Sequence, residues 1–149
     1  MSNFQGRCLC GSVRFSVQPP SIFCVHCHCH FCRTAHGAAF VTWVGVPEKQ
    51  FSMQAGDDLV TWYSSSEHSR RGFCSQCGST MFYASTLCPG EIHIARPYIY
   101  GEIDLKPVAH VFFDQHVQWL KLGDELPKLD GDHPMLEKYQ AVESPSFIR

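Results

Sequence analysis

The sequence lacks an excess of positive charge. Lysine and arginine together number 12 against 14 aspartate and glutamate residues, which gives a formal net charge of −2. Binding to a nucleic-acid backbone depends on basic residues that neutralise phosphates. We therefore expect no nucleic-acid partner. With 44% hydrophobic and 17% charged residues, the composition is that of a folded chain rather than a disordered one.

Long apolar runs are also missing. No segment reaches the roughly 18 consecutive apolar residues that a membrane-spanning helix requires, and residues 1–7 contain no apolar signal core. We expect no membrane association and a cytoplasmic location. In a reducing compartment, clustered cysteines indicate metal ligands or reactive thiols rather than disulfides. The odd total of nine cysteines also disfavours a fully paired disulfide scaffold.

The pattern of apolar residues predicts a mostly β chain. Alternating, β-branched and aromatic residues predict strands at 13–17, 40–44, 51–53, 59–63, 80–83, 92–95 and 108–113. Residues 56–58 predict a hairpin turn between the third and fourth of these strands. Short helical turns are expected near 29–34, 118–122 and 134–139. Because no linker or repeat divides the chain, we predict one antiparallel β domain over residues 1–143, followed by a C-terminal tail at 144–149.

Seven of the nine cysteines fall into three tight clusters. These are Cys8 with Cys10, then Cys27 with Cys29 and Cys32, then Cys74 with Cys77. Thiolates that are one or two residues apart can hold one soft metal ion from a single turn. The first and last clusters are each followed by a glycine, which tolerates the backbone conformation of a metal-binding turn, and each leads directly into a predicted strand.

The spacing favours a division of the clusters into two zinc sites. The first and last clusters supply four thiolates, which close a tetrahedral structural site, whereas the middle cluster supplies three and leaves a coordination position open for chemistry. A zinc ribbon built from Cys29, Cys32, Cys74 and Cys77 is an alternative. It would leave three clustered cysteines unassigned, and its gap is far longer than is usual for such a ribbon.

Three ordered motifs carry a family resemblance. They are Gly6-x-Cys8-x-Cys10-Gly11-Ser12-Val13-x-Phe15, Cys27-His28-Cys29-x-x-Cys32-Arg33 and Phe73-Cys74-x-x-Cys77-Gly78-Ser79. Together with a C-terminal segment, Trp119-Leu-x-x-Gly-Asp124-x-Leu126-Pro127, they resemble the glutathione-dependent formaldehyde-activating enzyme family, which includes centromere protein V. The resemblance extends over residues 5–130.

The resemblance implies a zinc-containing β-tent fold with two zinc ions per chain. Carried over by position, it implies a structural zinc on Cys8, Cys10, Cys74 and Cys77, and a catalytic zinc on Cys27, Cys29 and Cys32. The family's eponymous reaction joins formaldehyde to glutathione as S-hydroxymethylglutathione. We therefore expect a zinc-dependent carbon–sulfur lyase of this type, which acts on glutathione or another small thiol with an aldehyde. The alternative is a non-catalytic zinc scaffold that binds a protein partner.

Several residues beside the clusters have roles that the sequence leaves open. Arg33 could neutralise the thiolates of the middle cluster or bind a substrate carboxylate, whereas Arg70 and Arg71 suit a solvated turn better than a substrate contact. Cys24 and Cys88 suit unliganded thiols, although Cys24 could be a fourth ligand. Four histidines near the middle cluster could also close its open position, namely His26, His28, His30 and His36.

Overall fold

The computed structural model describes residues 2–140, and most of their regular structure is β. The strands are β1 (Phe4–Arg7), β2 (Arg14–Val17), β3 (Phe23–Cys27), β4 (Val41–Pro47), β5 (Phe51–Ala55), β6 (Val60–Ser64), β7 (Ser69–Cys74), β8 (Thr80–Ser85), β9 (Glu91–Ala95), β10 (His110–Val111) and β11 (Lys128–Leu129). An α-helix, α1, spans His30–His36. Short 3₁₀ segments lie at Glu48–Gln50, Asp57–Leu59, Arg96–Tyr98, Phe113–Gln115 and Pro134–Tyr139. This confirms the predicted mostly β class with short helical turns.

The strands form two sheets. The smaller sheet has the order β1-β2-β5, and the larger has the order β11-β10-β3-β4-β9-β8-β7-β6. Most neighbours pair antiparallel, but β10 pairs parallel with both β3 and β11. The two sheets pack through aromatic side chains, with the rings of Phe15 in β2 and Phe82 in β8 centred 5.3 Å apart.

Two predicted local elements are wrong. β5 and β6 do not form a hairpin, because β5 pairs with β2 in one sheet and β6 pairs with β7 in the other. Gly56 turns the chain at φ 74, with its backbone packed so closely on Ser12 that a Cβ would lie 2.3 Å from the Ser12 carbonyl oxygen. The helical turn predicted at 118–122 is absent from the described chain. The predicted domain boundary after residue 143 lies outside the described residues.

The large sheet is buried on both faces at its centre. Successive residues of a strand point to opposite faces, and the two buried clusters divide β4 in this way. Val44 and Val46 belong to a core shared with the small sheet, together with Cys8 and Cys74. Trp43 belongs to the second core, on the other face, together with Cys27 and Cys32. The fold therefore places the outer cysteine clusters and the middle cluster in different cores.

None of the helices within residues 2–140 has the length and apolar character that crossing a membrane requires.

Candidate metal centres and the adjoining pocket

The first candidate metal centre joins the outer cysteine clusters. Cys8 and Cys10 follow β1, Cys74 ends β7, and Cys77 lies in the turn before β8. Their four sulfur atoms all lie within 4.8 Å of one another, with 3.5 Å between Cys8 and Cys10 and 3.9 Å between Cys10 and Cys74. Tetrahedral zinc with bonds near 2.3 Å holds its sulfurs about 3.8 Å apart. The four sulfurs therefore fit a closed zinc site.

Two tight turns form this centre. Gly11 and Gly78 both have positive φ, 79 and 75, in the left-handed region that glycine tolerates best. The Gly11 amide donates to the Cys8 carbonyl at 3.1 Å, and the Gly78 amide donates to the Cys74 carbonyl at 2.8 Å. The amide of Val13 also donates to the sulfur of Cys8 at 3.3 Å. The two glycine turns therefore bring the sulfurs of each cysteine pair close together, as a shared metal ion requires.

The second candidate metal centre is the middle cluster. Cys27 ends β3, Cys29 is the N-cap residue of α1, and Cys32 lies in the first turn of that helix. Their three sulfur atoms all lie within 4.8 Å of one another. The Cys29 sulfur accepts a hydrogen bond from the Cys32 amide at 3.3 Å. This sulfur thus caps the helix in place of the usual side-chain oxygen, and the strand-to-helix junction brings the three sulfurs together.

The other thiols stay apart from both centres. Cys24 is fully buried in the core shared by the two sheets, and burial raises the pKa of its thiol to about 11. Cys88 is buried as well, and burial raises the pKa of its thiol to about 11. Among the described residues, neither thiol joins the group formed by Cys27, Cys29 and Cys32.

The neighbouring histidines do not complete the second centre either, because none of them joins the three sulfurs within residues 2–140. Each histidine contacts another side chain instead. Three of them lie within hydrogen-bond distance of their partners, which are Thr42 for His26, His110 for His28 and Arg33 for His30. The ring of His36 packs nearly perpendicular to the ring of Trp43. The second centre therefore has three converging sulfurs and room for an exchangeable ligand.

The positive charge beside these sulfurs comes from Arg71 and not from Arg33. Arg71 is 5% exposed, and its two terminal guanidinium nitrogens lie 3.6 and 3.7 Å from the Cys32 sulfur. The Trp43 indole N–H donates to the same sulfur at 3.3 Å. Contacts with the Cys27 and Cys29 sulfurs, together with the charge of Arg71, hold the pKa of Cys32 well below its usual range. Arg33 instead donates to the His28 carbonyl oxygen at 3.1 Å.

The expectation that Arg71 lies in a solvated turn is therefore wrong. Arg71 and Arg70 are both in β7, and they face opposite sides of the sheet. Arg70 is exposed and stacks over Trp62 at 4.3 Å, while Arg71 is buried against the second centre. A zinc ion held by three thiolates would carry a net charge of −1, which the adjacent guanidinium of Arg71 would compensate.

Replacement of Arg71 by methionine should weaken zinc binding at the second centre by about 10- to 100-fold. The variant leaves a net negative charge buried without its partner, which is costly, whereas methionine still fills the space of the aliphatic stem. Competition with a chromophoric chelator measures the affinity for the second zinc ion. Arg70→Met removes the same charge from the neighbouring exposed position and should leave this affinity unchanged. Equal zinc affinities in the two variants would contradict the role given to Arg71.

A chain of polar side chains behind the second centre was not predicted from the sequence. Asp124 accepts from His110 Nε2 at 3.0 Å, and His110 Nδ1 lies 2.8 Å from His28 Nε2. When the His110 ring is neutral, its proton lies on Nε2, which donates to the carboxylate, so Nδ1 accepts from His28 Nε2. His28 lies between Cys27 and Cys29, so these hydrogen bonds anchor the segment that carries both cysteines. Asp124 lies within the C-terminal motif of the sequence, and that motif could have identified it. Nothing in the sequence around His110 indicates a role for that residue.

A pocket opens directly onto the second centre. It is a cavity of about 490 Å³, and all three sulfur-bearing residues of the second centre line it. Arg71 and Trp43 line the same cavity. This volume lies within the range of small-molecule sites, roughly 300–1,000 Å³. The arrangement can hold a metal ion with an exchangeable position that faces a space large enough for a substrate.

Comparison with known proteins agrees with this geometry. The sequence signature described as glutathione-dependent formaldehyde-activating enzyme matches residues 3–115. The chain is 27% identical to an uncharacterized lyase of Schizosaccharomyces pombe, over 78% of this chain and 79% of that protein. It is also similar in fold to a crystal structure of a Rhodobacter sphaeroides protein, with a TM-score of 0.57, 21% identity, and coverage of 67% of this chain and 91% of that one. The match over residues 3–115 includes both candidate metal centres, and the chain therefore belongs to the glutathione-dependent formaldehyde-activating enzyme family.

Proposed function

We propose that this protein is a zinc-dependent carbon–sulfur lyase that joins or cleaves the adduct of a thiol and an aldehyde at Cys27, Cys29 and Cys32. The reaction is of the S-(hydroxymethyl)glutathione synthase type. The observation that carries the proposal is the convergence of three sulfurs, with no fourth described ligand, on the wall of a cavity of about 490 Å³. Membership of the family and the lyase name of the fission-yeast relative support the same reaction class.

The two centres have different roles in this proposal. Cys8, Cys10, Cys74 and Cys77 hold a structural zinc, because four sulfurs complete its coordination and the centre joins the end of β7 to the turn after β1. Cys27, Cys29 and Cys32 hold the catalytic zinc, so each chain binds two zinc ions. Zinc at a three-thiolate site supplies a Lewis acid that stabilises a substrate thiolate or polarises a carbonyl.

The reaction needs no oxidant or reductant. The sulfur of the thiol attacks the carbonyl carbon, a carbon–sulfur bond forms, and the carbonyl π pair moves onto oxygen, which takes up the proton that the thiol released. Cleavage of the adduct is the reverse. In this chain, Trp43 and Arg71 hold Cys32 as a thiolate through their N–H groups, and the apolar pocket walls exclude water from the reacting atoms.

Cobalt substitution tests this proposal against a non-catalytic zinc scaffold. Cobalt in the second centre should change its visible absorption spectrum when a reactive thiol is added, because the thiol enters the exchangeable position. The zinc-loaded protein should accelerate cleavage of thiol–formaldehyde adducts, followed by the release of formaldehyde. The thiols should include glutathione, small hydrophilic thiols and apolar thiols. A spectrum unchanged by every thiol, together with cleavage no faster than the uncatalysed reaction, would contradict the enzyme proposal and favour the scaffold.

A further inference from the structure

The pocket beside the second centre is lined mostly by apolar side chains. Bulky side chains surround the space, among them Phe23, Trp43, Phe112, Leu136 and Tyr139. These side chains come from β3, from β4, from Phe112 and from the 3₁₀ segment Pro134–Tyr139. A ligand in this space would exchange water for apolar contacts over most of its surface.

The rim of the pocket is apolar as well. Three lining residues are exposed hydrophobic side chains, Ile22, Val108 and Met135, and Met135 is 75% exposed. Exposed apolar residues that border a cavity favour ligands with apolar surface over strongly hydrated ones. A charged group of a substrate that projects from the cavity would therefore meet hydrophobic side chains.

Charged groups are nearly absent from the lining. Apart from the sulfurs of the second centre, Arg71 is the one side chain with a full charge among the described residues that line the cavity, and none of these residues carries a carboxylate. Arg71 already faces the Cys32 sulfur and lies over the Tyr83 ring at 5.0 Å. Glutathione carries two carboxylates and one ammonium group. Those charges would lose water without gaining partners, and unpaired charges are costly to bury.

The uncharged polar side chains that line the cavity carry hydroxyls, one imidazole and the carboxamide of Gln115. The hydroxyls of Ser69 and Tyr83 lie 2.8 Å apart, and the Tyr83 ring stacks on His93 with centroids 5.3 Å apart. The Phe23 ring meets His93 edge to face at 4.9 Å. Aromatic faces of this kind accept a flat ring or a branched alkyl group, and the hydroxyls can bind a neutral oxygen.

We infer that this site takes a thiol–aldehyde adduct whose organic group is uncharged and aromatic or branched-aliphatic, and that glutathione is a poor substrate. The inference rests on the proposed function for the reaction, but the selectivity of the pocket depends only on its walls, its rim and its single buried arginine. The adduct forms and breaks by the same balanced step, with the apolar group in the cavity and the sulfur at the second centre.

Binding of two unreactive thioethers to the zinc-loaded protein tests the selectivity without requiring turnover. Benzyl methyl sulfide should bind at least about tenfold more tightly than S-methylglutathione, as measured by calorimetry or by the change in tryptophan fluorescence. With reactive thiols, the formaldehyde adduct of benzyl mercaptan should have the larger kcat/KM. Tighter binding of S-methylglutathione, equal binding of the two, or binding of neither would overturn the inference.

The two proposals fail in different ways. If benzyl methyl sulfide binds as expected but no adduct is turned over, the reaction proposed for the centre is wrong and the pocket selectivity stands. If glutathione adducts are turned over faster than apolar ones, the reaction stands and the selectivity is wrong.

A positive charge added at the rim provides a second test of the pocket's selectivity. Met135→Lys should strengthen binding of S-methylglutathione by roughly two- to fivefold, which is the range of exposed charge pairs. The variant should weaken binding of the uncharged benzyl methyl sulfide, because an apolar contact at the rim is lost. Met135 is exposed, so the change should not disturb folding. Tyr63→Lys is the matched control, because Tyr63 is 66% exposed on β6 and does not line the cavity. The same change in selectivity in both variants would overturn the placement of the ligand at this rim.

Discussion

Replacement of Cys74 by serine should remove one zinc ion per chain and leave the protein largely unfolded at physiological temperature. Cys74 is 0% exposed, ends β7, and contributes a sulfur to the four-sulfur centre that ties this strand to the turn after β1. Structural zinc contributes on the order of 10–16 kcal/mol of apparent binding free energy in zinc-finger peptides. A whole domain has a net stability of only about 5–15 kcal/mol. Loss of even part of the zinc contribution is therefore enough to unfold the chain.

Cys24→Ser is the matched control for this prediction. Cys24 is also 0% exposed and belongs to the same core, but its sulfur is outside both centres. Serine there should cost about 1–3 kcal/mol, the range for a buried hydroxyl without a partner, and both zinc ions should remain. Elemental analysis gives the zinc content, and thermal unfolding followed by circular dichroism gives the stability. If the Cys74→Ser variant retained two zinc ions and had the same unfolding midpoint as Cys24→Ser, the outer clusters would not form a metal centre.

The cysteine groups were predictable from the sequence because their geometry is local. Ligands one or two residues apart share one turn whatever the rest of the chain does, and Gly11 and Gly78 mark two such turns. To divide the cysteines into one group of four and one group of three, it was enough to infer that the two outer clusters lie together. Each outer cluster is followed by a glycine and a strand, and this shared pattern indicated it. The structure brings together the same four and the same three sulfurs.

The surroundings of the second centre were not predictable in this way, because they depend on which face of a strand is buried. Arg70 and Arg71 are the same residue type at adjacent positions, so the sequence does not distinguish them. Arg70 is nevertheless exposed, whereas Arg71 contacts a cysteine sulfur. Strand β3 was also missed, because its cysteine and histidine residues resemble a metal-binding loop rather than a strand. His110 reaches His28 through parallel pairing of β10 with β3, a contact that no local pattern encodes.

The false hairpin between β5 and β6 has a similar cause. Two strand-like segments joined by a glycine turn are typical of a hairpin, but the pattern does not say which sheet each segment joins. The chain leaves the small sheet at Gly56, whose turn packs against the backbone of Ser12, and enters the large sheet at β6. Long-range pairing of β5 with β2 and of β6 with β7 thus overrode a local preference.

Replacement of Cys29 by serine should remove the second zinc ion and abolish lyase activity while the fold survives. Cys29 has two separable roles, because its sulfur belongs to the three-sulfur centre and also accepts the Cys32 amide hydrogen bond as the N-cap of α1. Serine is among the preferred N-cap residues, so its oxygen should keep the helix start in place. A neutral hydroxyl is a much poorer zinc ligand than a thiolate. We expect one zinc ion per chain, a rate equal to that of the uncatalysed reaction, and a cooperative unfolding transition. Its midpoint should be lowered by the loss of one bound zinc ion but should stay well above that of Cys74→Ser.

Cys29→Ala separates the two roles of this residue. Alanine removes the metal ligand and the helix cap together, so this variant should lose the same zinc ion and be less stable than Cys29→Ser by about 1 kcal/mol, the usual cost of a lost N-cap. Zinc content, adduct cleavage and thermal unfolding of both variants give the comparison. If Cys29→Ser kept two zinc ions, Cys29 would not be a ligand. If it lost one ion and still cleaved the adduct at the parent rate, the chemistry would lie elsewhere than at the centre that opens onto the pocket.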